Sequence, residues 1–141
     1  MQAVSSAEIP SMVATLCSYE SLLGPYHPQT LTLMTEVVVA CWHQGELSIA
    51  RHLLERAIRD LGRNLGRDHD LRLRALAAMR DLLLRQSDYG QAGAYQRGVL
   101  ECRFQRFGEE HPETLTSRQH LASIVLQTLE RETQTENRRL H

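Results

Sequence analysis

Leu23-Gly24-Pro25-Tyr26-His27-Pro28-Gln29-Thr30 is the first of three near-copies of one phrase in this chain. The others are Leu65-Gly66-Arg67-Asp68-His69-Asp70-Leu71-Arg72 and Phe107-Gly108-Glu109-Glu110-His111-Pro112-Glu113-Thr114. Their first glycines, Gly24, Gly66 and Gly108, are separated by two equal intervals of 42 residues. A fixed period of about 20–50 residues is typical of stacked repeats, in which each unit packs only against its neighbours. Such arrays build binding surfaces more often than catalytic pockets.

Between the phrases, the apolar residues follow a helical period. The first unit has Met34, Val37 and Cys41, a spacing that places all three on one helix face. Adding 42 residues gives Leu76, Met79 and Leu83, and adding 42 again gives Arg118, Leu121 and Val125. Only Arg118 breaks the pattern, in the last copy, where a terminal helix is expected to be more polar. Each phrase is therefore followed by a helix, which we term the first-type helix.

A second-type helix follows in each complete unit, after the breaks Gln44-Gly45-Glu46 and Gln86-Ser87-Asp88. Pro28 and Pro112 suit the first turn of a helix, where the missing N–H is not needed. The sequence predicts a single all-α domain over residues 1–141 with about six helices. Its parts are a lone second-type helix at about 9–23, repeats at 28–64 and 70–106, a closing first-type helix at 112–129 or further, and a polar tail at 130–141.

Composition excludes several functional classes. The chain is 42% hydrophobic and 23% charged, so it can bury a core, and its net charge of −1 does not favour nucleic acid or an anionic membrane. Three scattered cysteines without a CxxC motif indicate neither a disulfide framework nor a zinc site. No secretory signal or membrane-spanning run is present, which predicts a cytoplasmic protein.

The pattern resembles tetratricopeptide repeats, in particular the 42-residue type of kinesin light chains. The likeness rests on the repeated phrase, on Gln44-Gly45-x-Leu47-x-x-Ala50 and on Asp88-Tyr89-x-x-Ala92, and covers about residues 9–127. It implies a right-handed superhelical array of antiparallel helix pairs. Ordinary units of this family have about 34 residues, so each unit here is longer.

The second unit departs from the pattern. Asp70 replaces the proline of the phrase, and Arg80 stands where the family favours a small residue. Arg80 suggests either a local shift or a salt bridge with Asp81 or another neighbour. Three glycines, Gly90, Gly93 and Gly98, fall in one second-type helix, where each costs about 0.5–1 kcal/mol relative to alanine. Either neighbouring helices approach closely there, or this helix is the soft part of the array.

The resemblance also implies a concave groove lined by the first-type helices, which holds a peptide or a partner helix. Carried over by position, the groove residues are Thr35, Val39, Trp42, His43, Arg74, Asp81, Arg85, Gln119, Ser123 and Gln127. Their arginine, amide and hydroxyl groups suit a peptide backbone and an acidic side chain or C-terminal carboxylate. Trp42 is either a binding hot spot or a plug between units. A solvated face without a ligand is the alternative.

The three phrase histidines do not indicate a metal site. Stacked units place equivalent loops about 10 Å apart, the packing distance of helices, whereas zinc ligands bind at about 2.0–2.1 Å. We therefore expect His27, His69 and His111 to form loop and helix-start hydrogen bonds. The basic stretch on the second-type helix of the first unit is interpreted as a solvated face and only secondarily as a patch for nucleic acid or an acidic partner; it comprises Arg51, Arg56, Arg59, Arg63 and Arg67.

The sequence thus predicts a protein-interaction module that binds a protein or peptide partner, without cofactor, metal, nucleic acid or membrane. No catalytic motif indicates an enzyme. The alternative is a self-associating structural repeat domain, or a fragment of a larger regulatory repeat protein, with a homo-oligomer formed through the array ends. In that alternative the apolar residues of the first helix, among them Ile9, Leu16 and Leu22, pack against another copy if one side stays uncovered.

Overall fold

The computed structural model describes residues 6–66 and 69–141. In these ranges it contains a short 3₁₀ turn, Ser6–Glu8, followed by six α-helices and no strand. The helices are α1 (Ile9–Leu23), α2 (Pro28–Gln44), α3 (Leu47–Asn64), α4 (Asp70–Arg85), α5 (Tyr89–Phe107) and α6 (Pro112–Leu140). The predicted all-α class and the number of helices are confirmed.

The glycine of each phrase ends the preceding second-type helix. Gly24 has φ 93° and ψ 157°, and Gly108 has φ 87° and ψ 174°, a backbone region that is open essentially to glycine alone. Gly66 has a similar φ of 101°. The N–H groups of Gly24 and Gly108 still donate to the carbonyls of Glu20 and Phe104, so the helix closes normally before the chain turns. The phrase recurs because this exit needs a glycine.

A different turn joins the two helices within a unit. Gly45 takes the left-handed conformation (φ 76°, ψ 11°) after α2, and Ser87, 42 residues later, has φ 59° after α4. The next amides, of Glu46 and Asp88, donate to the carbonyls of Cys41 and Leu83 at 2.9 Å. These bonds satisfy carbonyls that a helix end otherwise leaves unpaired.

The described chain forms two compact units, which divide within α3 between Arg56 and Ala57. In the first unit α1 packs against α2. Leu16, Val37 and Cys41 are fully buried, and Val37 and Cys41 belong to the apolar period read from the sequence. The hydroxyl of Thr30 donates to the carbonyl of Tyr19 at 3.5 Å.

In the second unit α5 packs against both α4 and α6, and its contacts run antiparallel to each. The core contains Leu76, Val99 and Cys102, with Ile58, Leu73 and Tyr95 packed against it. A Cβ atom added to Gly98 would lie 3.6 Å from Leu76, and one added to Gly93 would lie 3.6 Å from Ile124. Both distances are ordinary van der Waals contacts, so a methyl group would fit at either position, and Gly90 has no neighbour within 4 Å.

The closing helix α6 extends beyond residue 129, as the prediction of 112–129 or further allowed. It continues to Leu140 through the predicted polar tail, and every residue after Thr128 is exposed. The helix persists because the segment contains neither glycine nor proline and is rich in good helix formers such as glutamate, glutamine and arginine. The guanidinium of Arg131 donates to the carbonyl of Ser87 at 2.6 Å and lies over the ring of Tyr89. These contacts hold the extension against the start of α5.

Candidate functional site

The phrase histidines cap the first-type helices. Each of the three histidines, His27, His69 and His111, is the residue before a helix. Its own backbone is extended, with φ near −66° and ψ near 140°. In each case Nδ1 accepts a hydrogen bond of 3.2 Å from the backbone N–H two residues later. A side-chain acceptor at this place satisfies one of the free amides of the first turn. The predicted structural role of these histidines is confirmed.

The first-type helices present nearly all of the predicted groove residues to solvent. Thr35, Val39 and His43 are exposed on α2, and Trp42 is half-buried beside them. The remaining six are exposed on α4 and α6, namely Arg74, Asp81, Arg85, Gln119, Ser123 and Gln127. Their assignment to a binding groove stays a prediction.

Arg80 connects three helices through a polar network. It pairs with Asp81 on α4, with 2.9 Å between Nη2 and Oδ1, and its Nη1 donates to Oε1 of Gln96 on α5 at 2.8 Å. Gln96 is fully buried, and its Nε2 donates to the carbonyl of Ser117 on α6 at 2.9 Å. Of the two explanations for Arg80, the salt bridge with Asp81 is confirmed. Because the network satisfies buried polar groups, it fixes the register of these helices.

A concave pocket of about 280 Å³ lies between α4 and α6, with α5 at its base. Arg80, Arg103, Glu113 and His120 supply its charged and polar groups. Arg103 is held there by an ion pair with Glu113, with 2.6 Å between Nη1 and Oε2. Ala77, Val99, Pro112, Thr116 and Ser117 complete the lining.

None of the ten predicted groove residues lines this pocket, but Ala77 and Thr116, which the repeat register also carries into the predicted groove, do line it. The charged walls of the pocket were not predicted. The sequence marks Arg80 as a departure from the repeat but does not place it or His120 at a site. A usable signal was present, because a charged residue at a position that the repeat keeps small must lie against other polar groups. The predicted groove residue Asp81 is bonded to the lining residue Arg80.

A second cavity, of about 630 Å³, lies between the start of α5 and the extension of α6. Asp88, Tyr89, Arg131, Glu132 and Glu136 are among its lining residues. Arg131 is already committed to Ser87 and Tyr89, and Asp88 accepts from the amide of Gln91 at 3.3 Å. Its polar groups therefore serve the local structure.

The arginines of α3 are largely paired with acidic groups. Arg51 pairs with Glu55 on the same helix, and Arg56 pairs with Glu20 of α1. Arg59 lies 4.0 Å from Asp60. Arg67, the last member of the predicted basic stretch, lies outside the described residues. These pairs favour the interpretation of a solvated face.

The Cys41 thiol is completely buried. Burial raises the pKa of the Cys41 thiol, and the charge of Glu46 raises it further, so the protonated form is favoured. Among residues 6–66 and 69–141, no group of three His, Cys, Asp or Glu side chains is placed to hold a metal ion. None of the described helices is long and apolar enough to cross a membrane.

These features define an all-α helical repeat protein in which one capping phrase starts every first-type helix. The family model for the tetratricopeptide repeat matches residues 30–70, which span α2, α3 and the following phrase. This match supports a tetratricopeptide repeat in the part of the chain that it covers, and that family indicates a protein–protein interaction module. A search of the curated proteins found no match.

Proposed function

We propose that this protein binds an extended peptide or a partner helix along the exposed faces of its first-type helices. The observation that carries the proposal is the concave pocket between α4 and α6, which lies on the first-type helices of two successive repeats. Concave sites with a few convergent polar groups are the usual places for ligands. Here those groups are guanidinium, imidazole, carboxylate and hydroxyl groups.

The charges around the pocket favour an acidic segment. Arg74 and Arg85 are exposed on α4, the same helix that contributes Arg80 to the pocket. Arginine forms strong, often bidentate hydrogen bonds with carboxylates, and its fixed fork selects their orientation. We expect an acidic side chain or a C-terminal carboxylate to lie near these residues while the peptide backbone follows the polar face.

The unique tryptophan gives the proposal a direct readout. Trp42 is the only tryptophan of the chain and is half-buried on the predicted binding face of α2. A ligand that covers it removes water from the indole and shifts its fluorescence emission. Peptides selected from a displayed library against the 141-residue chain are expected to produce this shift and to bind with affinity measurable by fluorescence polarisation.

Matched variants test the site. Thr116→Trp fills the pocket, and its control Thr15→Trp places the same group at another exposed threonine whose hydroxyl also bonds four residues back. Arg85→Ala removes a groove arginine, and Arg97→Ala removes an exposed arginine on α5. We expect Thr116→Trp and Arg85→Ala each to weaken binding by about tenfold, as loss of an interface hot spot does. Unchanged affinity in both would reject the groove.

A further inference from the structure

The third first-type helix is not followed by the turn that ends the other two. The positions equivalent to Gln44-Gly45-Glu46 and Gln86-Ser87-Asp88 are Thr128-Leu129-Glu130, and α6 passes through them without a break to Leu140. The residues after Glu130 correspond, at 42-residue intervals, to the second-type helices of the other units. In this unit they continue α6 instead. The face of α6 that such a helix would cover has no partner among the described residues.

This face is apolar and exposed. Leu83 of α4 is completely buried, whereas its equivalent in α6, Val125, is 37% exposed. Leu129 is 53% exposed, and Leu115 is 43% exposed. With Ala122 these residues form what we term the α6 apolar face. Leu115, Ala122, Val125 and Leu129 are separated by seven, three and four residues, a heptad-like spacing that seats one helix against another, with Arg118 at the intervening position.

The first helix of the chain does not complement this face. In α5, a second-type helix, Tyr95, Val99 and Cys102 pack with Leu76 of α4. The equivalent positions in α1, 84 residues earlier, are Ser11, Thr15 and Ser18, and all three are exposed. Two of these hydroxyl groups already form hydrogen bonds within α1. Thr15 donates to the carbonyl of Ser11, and Ser18 donates to the carbonyl of Ala14. A head-to-tail contact would bury these hydroxyls against leucines.

A second α6 helix, by contrast, complements the centre of the face when it runs antiparallel, although Ala122 then lies opposite Glu132 and Leu115 opposite Arg139 of the second copy. Pairing two copies about position 127 places Val125 opposite Leu129 of the second copy, and Leu129 opposite Val125. The same register places Arg118 opposite Glu136 of the second copy, on the same helix face. The Arg118 side chain is 43% exposed in its ion pair with Glu109, so it can also pair with Glu136 of the second copy. The contact is self-complementary, as a two-fold dimer requires.

We propose that this chain forms a two-fold symmetric dimer through antiparallel packing of the α6 apolar faces. The dimer does not depend on the proposed peptide groove. It differs from the self-association expected through α1. The exposed apolar surface whose equivalent in another repeat is buried lies on α6. An interface of one helix from each copy is small, so the dimer is expected to depend on protein concentration.

Sedimentation equilibrium of the 141-residue chain over a wide concentration range tests the proposal. The expected result is a monomer–dimer equilibrium that Val125→Glu shifts to monomer, with association weakened at least about tenfold because a charge is buried without a partner. The matched control is Leu22→Glu on α1, at a side chain that is 82% exposed, and it is expected to leave association unchanged. Circular dichroism and thermal unfolding check that each variant is folded.

Charge reversal tests the register. Arg118→Glu and Glu136→Arg are each expected to weaken the dimer, and the double variant is expected to restore it. A strict monomer at all concentrations would overturn the proposal. So would a dimer that Leu22→Glu abolishes and Val125→Glu does not, which would place the contact on α1. Failure of the double variant to recover would overturn the antiparallel register.

Discussion

The last residue of the phrase ties each first-type helix to the helix before it. Thr114 donates to the carbonyl of Arg103 at 3.3 Å, as Thr30 does to that of Tyr19. The second copy has Arg72 at this position, and its side chain lies against Gly62 of α3. The equivalents of Gly62 are Glu20 and Phe104, so glycine appears only where the arginine needs the space. Arg72 and Gly62 both depart from the repeat, and we interpret them as one structural feature in which the glycine makes room for the arginine.

A double-mutant cycle measures this coupling. A Cβ atom at position 62 would lie 3.1 Å from Nε of Arg72, so Gly62→Ala forces that side chain to move. We expect Gly62→Ala to raise the free energy of unfolding little or not at all in the natural chain. In the Arg72→Thr background we expect a gain of about 0.5–1 kcal/mol, because only the higher helix propensity of alanine then acts. Urea unfolding gives the coupling energy. Gly90→Ala is the control, because nothing lies within 4 Å of that position, and its effect is expected to be the same in both backgrounds.

The capping histidines lead to a second prediction. His111→Ala removes the acceptor for the amide of Glu113 and also the stacking of the imidazole on Phe107, whose ring centroid is 4.4 Å away. We expect a loss of about 1 kcal/mol and faster hydrogen exchange at Glu113. His111→Asn restores the cap without the stacked ring, so it should recover most of the protection at Glu113. No difference in exchange between the two variants would show that the cap is unimportant.

At the scale of elements, the turn between paired helices gives a reciprocal prediction. Gly45 and Ser87 occupy equivalent positions with positive φ, where side chains with a Cβ atom are strained by about 1–2 kcal/mol. Ser87→Gly should therefore raise the thermal midpoint, and Gly45→Ser should lower it. The carbonyl of Ser87 still accepts from Arg131 in the variant, because only the side chain is removed. Shifts of the same sign in both variants would contradict a local backbone cause.

The sequence predicted the helices well because their signals are local. Apolar residues at helical spacing recur at 42 residues, and a glycine or a capping residue marks most junctions. The end of α6 was not predicted, since its outer part has no apolar period and helix propensity alone maintains it. The pocket walls were also missed. Arg80 and Gln96 meet through the packing of α4 on α5, and a one-dimensional pattern does not contain that contact.

At the scale of the whole molecule, the two proposed surfaces use different sides of one helix. Thr116 lines the pocket, and Val125 belongs to the α6 apolar face. Their positions differ by nine residues, which corresponds to a rotation of about 180° around an α-helix. A peptide in the pocket and a second copy on the apolar face therefore do not compete for the same side chains.

This geometry predicts that the two functions can be removed separately. Thr116→Trp should weaken peptide binding by about tenfold and leave the dimer intact, because the added ring fills the pocket on the far side of α6. Val125→Glu should give a monomer that binds the same peptide within about twofold, since distant and independent sites act additively. Fluorescence polarisation and sedimentation on each variant measure both quantities. If Val125→Glu also abolished peptide binding in a folded monomer, the groove would depend on the dimer, and the two surfaces would form a single site.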